Sequence, residues 1–116
     1  MSATRITNAT VRSPPARSGY AQSLTVVALS GASGTGSIAG GSARSGAPSV
    51  TLTSSAAGSW AFAVGNDWDS ATRRTLGPTQ TLVHEWSDTA ARDDYWVQRT
   101  TAPVAAAGLS VPMGCT

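Results

Sequence analysis

The sequence has no lysine and a single cysteine, Cys115, so its positive side chains are eight arginines and no disulfide can close within the chain. One thiol beside the last residue also excludes a CxxC metal pattern, and a chain terminus is a poor place to order a catalytic cysteine. Charged residues make up 12% of the chain, about half the usual share. The arginines are scattered, with only Arg73 and Arg74 adjacent, so there is no basic run of the kind that tracks nucleic acid. The missing lysine reads as the codon usage of a GC-rich genome. No stretch approaches the ~20 apolar residues of a membrane span. The segment from Met1 to Pro15 is polar and lacks the apolar centre of a signal peptide.

Aromatic residues are scarce too, at 6%, and they are concentrated. Gly58 to Thr100 holds all four tryptophans, the only phenylalanine and histidine, and all six carboxylates. The rest is largely Ala, Ser, Thr and Gly. At 116 residues the chain fits one domain that can bury a core, and the core and any site are expected around this block.

Along the chain, Ile6 to Val11 alternates weakly and Ser13-Pro14-Pro15 stops it, giving a short lead strand and linker over 1–17. Tyr20 to Ser30 carries apolar residues in both phases and predicts a central, well-covered strand. Gly31 to Gly46 is a Gly/Ser-rich loop. Its glycines Gly31, Gly34 and Gly36 are followed by no Lys-Ser or Lys-Thr, which excludes a phosphate loop. Pro48 to Thr53 alternates with Val50 and Leu52 inward, and Ser59 to Gly65 with Trp60, Phe62 and Val64 on the core face. Thr79 to Trp86 places Leu82, His84 and Trp86 on one face, and Asp94 to Thr100 follows as its antiparallel partner. Ala105 to Val111 is a weak last segment, with 112–116 as a tail. Short strands separated by turns, without a helical period, predict an all-β fold, an antiparallel β-sandwich of jelly-roll or Ig-like shape.

The runs Gly58 to Asp69 (GSWAFAVGNDWD), Arg74 to His84 (RTLGPTQTLVH) and Tyr95 to Gln98 (YWVQ) resemble a β-sandwich module that recurs in large secreted bacterial multidomain proteins. Ser18 to Ala28 and Ser45 to Thr53 look like its earlier strands, so the resemblance spans about 18–111. It implies a secreted or cell-surface location, neighbouring domains, and no catalytic residue to carry over. Such modules start with further strands and finish with one bearing a Trp-Asn pair. The lead is short and polar here and the chain stops at Thr116, which predicts a truncated copy, incomplete at one or both ends.

Three chemistries fit the aromatic block. Asn66, Asp67 and Asp69 gather oxygen ligands of the kind calcium takes, or else form Asx-turns and a cap. Trp68 stands in a polar loop, where with Asp67, Asp69, Arg73 and Trp96 it would make a sugar-stacking patch, or else fold back as a lid. Paired carboxylates would suit glycoside hydrolysis, but no spacing selects a pair. His84 and Glu85 are adjacent on a strand, point to opposite faces and cannot form a dyad. The expected role is a non-catalytic accessory or adhesion module with polysaccharide as ligand and calcium as an optional ion. A structural spacer is the alternative, and a hydrolase fragment a third reading.

Overall fold

The structure, a computed structural model, describes residues 7–116. The chain divides into two compact units, the first ending at Thr35 and the second covering Gly36–Thr116. In the first unit residues 7–35 contain neither strand nor helix. Of the expected lead strand, Ile6 lies outside the described residues and 7–11 are irregular. The strand expected over Tyr20 to Ser30 does not form, and Tyr20, Leu24, Val26, Val27 and Leu29 stand exposed. A two-faced apolar strand needs neighbours on both faces and a ladder partner, and residues 7–35 supply no second strand. The expected boundary before Ser18 falls within the first of these units.

The second unit is all-β. Its strands are β1 (Ser49–Thr53), β2 (Phe62–Asp67), β3 (Gln80–Asp88), β4 (Asp93–Thr100) and β5 (Ser110–Gly114). They form two antiparallel sheets, β1 with β5, and β2-β4-β3 with β4 central. Among the described residues there is no helix long and apolar enough to cross a membrane. The alternation of Ser-Val-Thr-Leu-Thr in β1 is realised as read, with Val50 and Leu52 turned inward opposite Met113 and Val111. The expected tail is instead the continuation of β5, and Met113 is the most buried apolar side chain. Val111, Met113 and Ala61 form a core cluster against which Val50, Leu52, Ala63 and Val104 pack. Residues of both sheets thus share one thin apolar layer.

The face expected to point inward from β2 points outward. Val64 is 79% exposed, whereas Ala61 and Ala63 join the core. The reason lies across the ladder, where Gly65 is opposite Trp96 and the indole occupies the space above it. A large residue on the central strand takes the inner volume, so its neighbour on β2 must be small.

In β4 the buried residues are Asp94, Trp96, Gln98 and Thr100, a mostly polar row. Gln98 donates to Gln80 and to the carbonyl of Gly114, and Gln80 Oε1 accepts the Gly114 N–H at 3.1 Å, so amides join the end of β5 to the larger sheet. Opposite β4, strand β3 bulges at Val83: Leu82 pairs with Gln98 but His84 with Val97. The extra residue switches the facing set, so Leu82 and His84 do not share a face as the simple alternation predicts.

The chain enters β3 through Pro78 and Thr79. Thr79 has φ 62°, a left-handed conformation that β-branched residues rarely adopt, in the place where a turn after proline favours glycine. Thr79→Gly is expected to stabilise the fold by about 1 kcal/mol, read as a higher urea midpoint. A lower midpoint would show that the 2.6 Å bond from the Thr79 hydroxyl to the Pro78 carbonyl outweighs the strain.

Candidate functional site

The segment 68–79 leaves the end of β2, crosses the inner side of the larger sheet and returns to β3. Asp67 starts it: Oδ1 accepts the Asp69 N–H at 3.0 Å, an Asx-turn that bends the chain off the strand. Oδ2 takes the guanidinium of Arg74. The Asp69 N–H first, and Arg74 second, hold the Asp67 carboxyl below its ordinary 3.8.

Arg74 is the fastening point of this loop. Its backbone N–H reaches Glu85 Oε1 at 2.9 Å, its Nε lies 3.6 Å from Asp94 Oδ2, and its guanidinium sits 5.1 Å from the centre of the Trp96 ring. Asp94 is fully buried, with its other oxygen taken by the Ser87 hydroxyl. Two carboxylates, Asp67 and Asp94, thus converge on one inward guanidinium, while Glu85 accepts the Arg74 backbone N–H and meets Arg73 at 3.5 Å from the solvent side. Only a planar, multi-donor cation can serve several carboxylates and an indole face at once.

The far end of the loop is tied as well. Thr75 and Thr116 exchange N–H···O bonds at 3.0 and 2.8 Å, Leu76 bridges Cys115, and Gly77 donates to Gly114 at 3.0 Å. Cys115 is buried, and that burial raises its thiol pKa, which leaves it an inert packing group.

Anchored at both ends, the loop presents Trp68, 73% exposed, together with Asp69 and Arg73, whose side chain is 84% exposed. Three of the residues expected in a binding patch are therefore displayed on one short segment. The other two are not available there. Asp67 is committed to the turn and to Arg74. Trp96 is buried beneath the loop, its indole N–H donating to Gln98 at 3.0 Å, and it offers no second stacking face.

Of the expected calcium ligands, Asn66 and Asp67 are turned apart. Asn66 lies opposite Tyr95 and Asp67 opposite Asp94, so the ladder puts them on opposite faces of the sheet. Among the described residues no three His, Cys, Asp or Glu side chains are grouped to hold a metal ion.

Sequence reasoning missed the aromatic pairing on the outer side of the sheet. Trp86 stacks on Tyr95 with centroids 5.4 Å apart and planes 17° apart, and Arg99 lies 4.7 Å above the ring of Trp60. The register Trp86 opposite Tyr95 follows from the bulge, which no periodicity announces. No family model matches the chain, and neither does any curated protein or solved structure.

Proposed function

We propose that this chain is a non-catalytic accessory or adhesion module of a secreted or cell-surface protein, built as an antiparallel β-sandwich of jelly-roll or Ig-like type, and that its 68–73 loop binds carbohydrate. The observation that carries this reading is Trp68, a large flat side chain left in solvent on a loop whose base is fixed by Arg74. A loop already fastened at its base loses little backbone freedom when an aromatic ring on it stacks against the C–H face of a sugar. Asp69 as acceptor and Arg73 as multiple donor complement sugar hydroxyls beside it.

The same geometry supports a non-enzymatic role. Glycoside hydrolysis needs two carboxylates open to the substrate. Here Asp94 is wholly buried, and Asp67 and Glu85 are engaged by Arg74 and Arg73. The apolar layer shared by the two sheets supports the sandwich. The spacer reading draws on the burial of Trp96, which leaves Trp68 without the aromatic neighbour expected beside it.

Titration of the folded protein with a panel of soluble polysaccharides, with and without calcium, tests the proposal through tryptophan fluorescence. A saturable response is expected, weakened about tenfold or more in Trp68→Ala, which leaves the fold intact because the ring is exposed. A folded protein that answers none of the polysaccharides is a spacer.

A further inference from the structure

The outer face of the larger sheet is unlike the rest of the surface. By register its middle carries Val64 and Asn66 from β2, Tyr95 and Val97 from β4, and His84 and Trp86 from β3, with Phe62 and Arg99 beyond them. Val64 is 79% exposed and Trp60, at the entry to β2, is 37% exposed. Its charges lie at the two ends of β4. At one end Asp93 stands directly opposite Asp88, a like-charged cross-strand pair, with Tyr95 donating to Asp93 at 3.0 Å. At the other end the guanidinium of Arg99 lies flat on Trp60 and spends one donor on the Thr100 carbonyl, which leaves further N–H groups for an acceptor.

We propose that this face pairs with the same face of a second copy of the chain. The twofold axis lies in the interface, crosses β4 level with Trp96 and runs perpendicular to the strands. That operation reverses β4 end for end over its counterpart. It sets Arg99 against Asp93 of the partner subunit, twice, and lays the Val64–Val97 row of each copy over the Tyr95 row of the other. A twofold contact must be self-complementary, and a largely apolar centre with opposite charges three residues to either side meets that condition. It also brings a cation to the like-charged Asp88–Asp93 pair. Three strands of about seven residues make a face of roughly 14 by 23 Å, so the association is at the weak end of specific interfaces.

Charge exchange tests the arrangement in sedimentation velocity, between about 1 µM and 1 mM. The native chain is expected to dimerise as concentration rises. Arg99→Asp and Asp93→Arg should each sediment as monomers, and mixing the two should restore a dimer, because every contact in the mixed pair is again between opposite charges. Val64→Asp, at a position already in solvent, should abolish association while the circular dichroism spectrum stays native. A native chain that remains monomeric throughout, a dimer indifferent to all three substitutions, or single variants that the mixture does not rescue would each overturn the proposal.

Discussion

Arg74→Met is expected to cost about 3–5 kcal/mol, enough to bring a domain of this size close to unfolding. Methionine has nearly the volume of the lost side chain, so packing changes little. What changes is charge: Asp94, fully buried, loses the guanidinium 3.6 Å away, and Asp67 loses its partner. An unpaired carboxylate in such a place must either carry its desolvation penalty or take up a proton. The urea midpoint should drop by about 2 M, and adding Asp94→Asn should recover a large part of the loss, since the amide removes the stranded charge. Arg74→Lys should recover little, because an ammonium cannot reach carboxylates and indole together. An unchanged midpoint in Arg74→Met would show that water reaches Asp94.

Gly65→Ala carries the second large effect, and its sign is diagnostic. In an open strand the exchange gains stability, because alanine has less backbone freedom to lose. Here the added Cβ would lie 2.2 Å from Cζ2 of Trp96 and 2.5 Å from Cε2. The indole cannot retreat, since Arg74 lies over it and Gln98 holds its N–H. A loss of about 1–3 kcal/mol is expected, with a red shift of the Trp96 emission. Trp96→Phe in the same background makes room, and the two substitutions should couple by about 1 kcal/mol or more in a double-mutant cycle. Additive effects would mean that the ring moves aside without strain.

The all-β fold was legible where small apolar residues alternate with hydroxyls, as at Val50 and Leu52. It was misread wherever a large residue suggested the core. Trp60, Phe62 and Val64 look like an inner face because they are the bulkiest set in their strand, yet the inner volume is taken from the next strand by Trp96. Nothing local in β2 reports that. The run Leu24 to Leu29 has every mark of a strand and lacks only a partner, which a single segment cannot reveal. For the site, Trp68 in a polar stretch was a readable anomaly, and it stands exposed. Arg74 was not readable, because its role depends on Asp94 and Glu85 arriving from two later strands.

The closing of β1 onto β5 sets the order of events in folding. The hairpin of β3 and β4 needs only a short turn, which Asp88 prepares by accepting the N–H groups of Ala90 and Ala91, both at 3.1 Å. Strand β1 must wait for a partner roughly sixty residues away, and Ser54 pairs with Leu109 and Ala106 over 55 and 52 residues. Such closures come late and slowly. Until that closure, Val111 and Met113 do not cover Ala61. The chain therefore spends that interval with half a core, and a chaperone that shields β1 and β2 would raise its yield more than any faster hairpin.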